Sequence, residues 1–298
     1  MTDRFTIRFW GVRGSIPVPG PDTVRYGGNT TCVEVRCGDT IIIIDAGSGI
    51  RNLGKALLHC EAPLHVHVLM THVHWDHIQG FPFFSPAFVP STNITVWSEA
   101  EPKRPVFDVL DQQMSSPMFP VNLADMQGTL DFRTFRLGEE WAIGDVRIRT
   151  SPLNHPGGAT AYRIDYAGHS YVHASDHEHT SSPYNPLIEL SRGADCLVYD
   201  AAYTEDEYRG VGSAESLEGW GHSTWQEGVL VAQTAKVQSL LLFQHHYDRT
   251  DDELDILGQQ AAQAWPGALF SREGMEVDLL AGTVTHPLLP DVLRIEAP

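Results

Sequence analysis

Basic residues are scarce in this chain. Its 298 residues carry 20 Lys and Arg against 38 Asp and Glu, a formal charge of −18. That balance argues against a protein that holds long nucleic acid through its general field. It leaves small anionic substrates open, because bound cations reverse the sign locally. Cysteine is also sparse: Cys32, Cys37, Cys60 and Cys196 form no C-x-x-C pair and no regular spacing. A disulfide framework is therefore not expected, and free thiols in a reducing cytosol are the ordinary reading. No apolar run approaches the length of a membrane span, and the opening MTDRFTIRFW lacks the apolar core of a secretory signal. A cytoplasmic location is expected. Repeats, low-complexity tracts and charge blocks are absent, and no break in composition marks a linker, so one domain is expected over residues 1–298.

What is present is an alternation of short strands and helices, which indicates a layered α/β structure. Thr6 to Trp10 alternates and Thr31 to Arg36 is β-rich. Thr40 to Ile44 is a continuous β-branched run, the pattern of a strand buried on both faces. It leads through Asp45-Ala46-Gly47-Ser48-Gly49 into a helix from about Ile50 to Cys60, and a further strand is expected at Leu64 to Met70. Pro82, Pro86, Pro90, Pro102, Pro105, Pro117 and Pro120 disfavour long helices between residues 81 and 120. That stretch reads as an irregular insertion over the mouth of a site, with one short helix near Val106 to Met114. Further strands are expected at 129–135, 146–151, 161–166, 170–174, 195–200 and 239–244, with helices at 224–235 and 251–264.

The chemistry concentrates at His72-Val73-His74-Trp75-Asp76-His77. His72 and His74 sit two apart just after an expected strand, so an extended backbone points both to one side. Asp76 and His77 then turn toward a second position. Imidazole and carboxylate suit zinc or a similar divalent ion, and three histidines with a carboxylate in six residues are costly to hold together without one. His65 and His67 alternate along the preceding strand and read as one polar strand face. Further candidates follow at expected strand ends, where α/β proteins build sites: His155 on a Pro/Gly turn, Asp176 at the head of Asp176-His177-Glu178-His179, and His245. Each alone is a weak signal. Glu178 and His179 receive no role from the sequence.

With these residues in this order, the chain resembles the metallo-β-lactamase superfamily. The resemblance implies an αββα sandwich with the metals at one edge. It implies a first ion held by His72, His74 and His155, and a second by Asp76, His77 and His245, with Asp176 bridging. His246 is adjacent, and His245 is preferred because it stands closer to the strand. Within the superfamily, Gly221-His222-Ser223-Thr224 is similar to the segment carrying an extra catalytic histidine in the branch of tRNA 3′-processing endonucleases and cyclic-nucleotide phosphodiesterases. The runs Gly11-Val12-Arg13-Gly14-Ser15-Ile16-Pro17 and Tyr26-Gly27-Gly28-Asn29-Thr30 resemble a group of phosphodiesterase-like hydrolases.

The resulting expectation is a phosphodiesterase with Asp76 and His222 as catalytic residues. Its substrate would be a small phosphodiester such as a cyclic nucleotide, cleaved by a hydroxide held between two divalent ions. Zinc fits the donors best, with manganese or iron as alternatives. Asp45 and Asp200 read as carboxylates that orient ligands. The absence of a long basic arm and the acidic charge disfavour tRNA as substrate. A thioester hydrolase of the glyoxalase II type and an RNA 3′-processing endonuclease are the alternative enzymes, and a metal-stabilised binding or regulatory module the non-enzymatic one. Asp176 in place of cysteine disfavours an antibiotic hydrolase, and His74 in place of glutamate disfavours a di-iron oxidoreductase. The resemblance also allows a homodimer, while no membrane partner is expected.

Overall fold

The computed structural model describes residues 4–61, 63–100, 104–180, 185–212, 215–286 and 293–294. Pro102, counted above among the helix-breaking prolines, lies outside them. Two β-sheets face each other. In chain order the strands are β1 (Phe5–Gly11), β2 (Cys32–Cys37), β3 (Thr40–Ile44), β4 (Leu64–Leu69), β5 (Thr92–Glu99), β6 (Thr129–Phe135), β7 (Glu140–Ile143) and β8 (Val146–Leu153). They continue as β9 (Ala159–Tyr166), β10 (His169–Ala174), β11 (Cys196–Asp200), β12 (Ser239–Phe243), β13 (Ala268–Phe270), β14 (Glu276–Asp278), β15 (Thr283–Thr285) and β16 (Leu293–Arg294). The first sheet has the order β16-β15-β14-β1-β2-β3-β4-β5-β6 and the second β13-β12-β11-β10-β9-β8-β7. The helices are α1 (Ile50–Leu57), α2 (Trp75–Ile78), α3 (Val106–Gln113), α4 (Asn185–Ser191), α5 (Glu205–Arg209), α6 (Trp225–Ala235) and α7 (Asp251–Ala264).

Three apolar layers hold this arrangement. Between the sheets, Phe5, Ile7, Phe9, Ile42 and Ile44 pack against Ile148, Tyr162, Ile164, Val198 and Phe243. On the outer face of the first sheet, Ile41, Ile43, Val66 and Val68 pack under α1 and α3. On the outer face of the second, Val172, Leu197 and Leu242 pack under α4, α6 and α7. The architecture is therefore an α/β sandwich of αββα type. β3 shows why its sequence is a continuous apolar run: Ile42 and Ile44 serve the central layer while Ile41 and Ile43 serve the helical one. Thr224 and Thr250 cap α6 and α7, each hydroxyl accepting from the backbone N–H three residues on.

One segment departs from the sequence reading. Residues 81–120 do include short 3-10 turns and α3, but Thr92–Glu99 is a regular strand lying between β4 and β6. Its alternating burial, with Thr92, Ile94, Val96 and Ser98 inward, is ordinary strand patterning that the flanking prolines obscure. The prolines bound the strand without interrupting it. Among the described residues no helix is long and apolar enough to cross a membrane. Cys32, Cys37 and Cys196 are buried free thiols, and Cys60 is an exposed one.

Candidate metal centre

Five strands end on the same edge of the sandwich. β3 runs into Asp45, β4 into the segment 70–77, β8 into His155, β10 into Asp176 and β12 into Gln244. Ligand atoms of His72, His74 and His155 lie within 4.8 Å of one another, and so do those of His72, His77 and Asp176. Nε2 of His155 lies 3.0 Å from Nδ1 of His74 and 3.7 Å from Oδ2 of Asp176. Nε2 of His72 is also 3.7 Å from Asp176 Oδ2. Nε2 of His77 lies 3.1 Å from Asp176 Oδ1 and 3.4 Å from Asp76 Oδ2. Asp176 thus stands between the two groups.

Neighbouring polar groups decide which nitrogen of each ring faces inward. Nδ1 of His155 donates to the Gly221 carbonyl at 2.7 Å, so the bare nitrogen is Nε2. Nδ1 of His77 donates to Asp45 Oδ2 at 2.8 Å, which turns its Nε2 toward the carboxylates of Asp76 and Asp176. Nε2 of His72 is buried with no hydrogen-bond partner. Burial opposes a charge on His77, yet Asp176, Asp76 and Asp45 hold its pKa well above the ordinary value. Bare imidazole nitrogens and carboxylates converging on one point call for positive charge. The residues present therefore fit divalent cations.

Asp45 is the main support of this edge. It is fully buried and accepts from the Thr71 backbone N–H and hydroxyl, both at 2.8 Å, as well as from His77. Replacing Asp45 by Asn removes the charge that fixes the His77 tautomer. Asp45→Asn is expected to weaken metal binding by roughly 10- to 100-fold, read by isothermal titration of metal-free protein. Unchanged affinity would refute the supporting role. Backbone strain gathers at the same place. Ser15, Asp45, Asp176 and Gln244 have φ of 64°, 61°, 55° and 60°, the left-handed region that side chains rarely adopt.

His245 corrects the sequence expectation. Its ring turns away from the cluster, and Nε2 donates to the Ser271 carbonyl at 2.8 Å. It packs against the edge of Tyr26 and against Phe270, and burial depresses its pKa to about 3. The reason is local. β12 ends at Phe243, and the left-handed Gln244 re-aims the chain, so Gln244 rather than His245 enters the site. Gln244 Nε2 lies 3.2 Å from Oδ2 of both Asp76 and Asp176. His65 is exposed on β4, and half-buried His67 accepts from Trp97 Nε1 at 3.4 Å, away from the cluster.

Next to the cluster stands His222, its ring centre 5.4 Å from that of His155. Nδ1 donates to Asp200 Oδ2 at 2.8 Å. Burial works against a charge on this ring, but Asp200, backed by Asp176 and Asp76, outweighs it and raises the pKa to about 9. Asp200 also accepts from the His177 backbone at 3.1 Å, tying the Asp176 loop to His222. Glu178, without a role in the sequence reading, clamps the loop before His222: its carboxylate accepts from the backbone of Gly219 and of Gly221, and from Tyr208 Oη at 2.9 Å. His179 Nδ1 pairs with Ser223 Oγ at 2.9 Å. His222 opens onto a cleft of about 300 Å³ shared with Ser15, Tyr203, Trp220, Gln244 and Tyr247.

The beta-lactamase superfamily domain model matches residues 40–269, most of the chain and every residue of the His/Asp cluster. The chain belongs to the metallo-β-lactamase superfamily. The family is one of metal-dependent hydrolases, and its members bind divalent metals at such clusters. An uncharacterized protein of Mycobacterium leprae is 29% identical over 270 residues, covering 87% of this chain and 84% of that one. The ribonuclease Z of Picrophilus torridus is 21% identical, covering 94% and 97%. A crystal structure of a diphosphatase from the PhnP family superposes with a TM-score of 0.68 at 17% identity, covering 92% of this superfamily member and 97% of that chain.

Proposed function

We propose that the protein is a phosphodiesterase acting on a small phosphodiester such as a cyclic nucleotide, using two divalent ions, zinc being the ion best matched by the histidines. The observation that carries this reading is the His222–Asp200 pair facing a cleft beside the ligand cluster. His72, His74 and His155 would hold one ion and Asp76 and His77 the other, with Asp176 between them. When bound, such ions supply Lewis acidity at phosphoryl oxygens and make water acidic enough to ionise near neutral pH.

This chain's own residues do the rest. Asp45 fixes the His77 ring, and the Gly221 carbonyl fixes that of His155. Asp200 holds His222 by Nδ1, so that Nε2 carries the proton that a leaving alkoxide needs. Tyr203, Trp220 and Tyr247 give the cleft aromatic surface against which a nucleobase can stack, and Trp220 is 62% exposed. The small cleft and the charge of −18 favour a small substrate over a long RNA.

The test is a substrate panel on metal-loaded protein: bis-p-nitrophenyl phosphate, cyclic nucleotides, a precursor tRNA and a glutathione thioester. The expected result is turnover of the first two. Hydrolysis of the thioester alone would overturn the phosphodiesterase reading, and cleavage confined to the tRNA would favour a ribonuclease Z-like activity.

A further inference from the structure

We infer that Gln244 is a ligand of the second cation through its amide oxygen, and that the two metal positions therefore differ in kind: the first is a nitrogen-rich zinc site and the second an oxygen-rich site that discriminates less against a harder ion such as Mn²⁺. The inference rests on the two-ion reading above. Gln244 is fully buried, and its side chain enters between Asp76 and Asp176, with Nε2 3.2 Å from an oxygen of each. Its other terminal atom, Oε1, is buried without a hydrogen-bond partner.

A buried unsatisfied amide oxygen is costly, so its presence calls for a function. Turning the amide by half a rotation exchanges the two atoms and brings Oε1 to the place where Nε2 now faces the carboxylates. With a cation between Asp76 and Asp176, that oxygen completes its coordination. With none, the N–H₂ end satisfies the carboxylates instead. The left-handed backbone of Gln244 holds the side chain in this position, and His245 is turned toward Ser271.

The donor sets then separate. The first position draws on the nitrogens of His72, His74 and His155, with one Asp176 oxygen. The second has a single nitrogen, from His77, and oxygens of Asp76, Asp176 and Gln244. Imidazole suits zinc, whereas carboxylate and carbonyl oxygens suit manganese and magnesium.

The experiment is stepwise metal titration of the metal-free full-length protein by calorimetry, with bound Zn²⁺ and Mn²⁺ counted by elemental analysis after equilibration with both. In the unaltered protein, one Zn²⁺ binds at least about tenfold more tightly than the second, and equilibration with two equivalents of Zn²⁺ and a large excess of Mn²⁺ gives a zinc-manganese pair. Gln244→His tightens the second Zn²⁺ toward the first and abolishes the manganese. Gln244→Ala weakens only the second ion, by about tenfold or more. His245→Phe changes neither affinity. Two equal zinc affinities in the unaltered protein, or a Gln244→Ala variant with both affinities intact, would overturn the role of Gln244 while leaving the two-ion centre standing. Binding of no ion, or of one ion only with Gln244→His no different, would bring down the two-ion reading itself.

Discussion

His222→Ala is expected to lower kcat by roughly 10²- to 10⁴-fold on a phosphodiester with an alkoxide leaving group, such as a cyclic nucleotide, while leaving bound metal unchanged. The metal content should survive because His155 is oriented by the Gly221 backbone carbonyl, which this substitution leaves in place, and not by the His222 ring. The leaving group supplies the discriminating control. A p-nitrophenolate leaves readily and needs little help from an acid, so bis-p-nitrophenyl phosphate should lose far less activity in the same variant. Equal losses on both substrates would mean that His222 shapes the cleft and does not donate a proton. Asp200→Asn, which keeps the size of the group that accepts from Nδ1 but removes its charge, should reproduce the same leaving-group dependence in weaker form.

The second large effect concerns stability. Arg13 is completely buried, with Nε donating to the Gly27 carbonyl at 2.8 Å and Nη1 to the Arg249 carbonyl at 2.6 Å and the His246 carbonyl at 3.2 Å. Nη2 lies 3.8 Å from Asp251 Oδ1, and Asp251 is itself buried at the start of α7. Arg13→Met keeps much of the volume but leaves three carbonyls without this donor and takes from the buried Asp251 carboxylate its one buried cation, leaving only the partly exposed Arg25 at 3.8 Å. Breaking a buried pair in this way costs about 3–5 kcal/mol. Urea unfolding followed by tryptophan fluorescence should show that loss. A change below about 1 kcal/mol would place Arg13 among ordinary surface ion pairs, contrary to its burial.

These two residues also mark what the sequence made legible. The candidate ligands could be read because chemistry and position coincide there: His72, His74, Asp76, His77, His155 and Asp176 each follow the end of a strand, and the structure brings them together at one edge. The layered α/β class followed from the alternation of strands and helices. Gln244 could not be read in this way. Whether residue 244 or 245 faces the site depends on where β12 ends and on one left-handed residue, and neither leaves a compositional mark. Glu178 was opaque for another reason, since its partners lie some forty residues away at Gly219 and Gly221. The run Gly11 to Pro17 was visible as a pattern without a cause. The structure supplies one: Arg13 binds the loop after β12, and the Ser15 backbone N–H donates to Asp76 Oδ2 at 2.8 Å.

The order of strands has a consequence for how the chain comes to hold metal. His72, His74, Asp76 and His77 follow the first sheet, while His155, Asp176 and Gln244 follow the second. The first sheet is not completed by its own early strands, because β14, near the end of the chain, pairs with β1. A nascent chain emerging from the ribosome presents the His72–His77 segment long before its counterparts exist. Metal capture at full affinity therefore belongs to the last stage of folding, after contacts of high sequence separation have closed. In refolding from denaturant, uptake of metal would act as a clock for the docking of the two sheets.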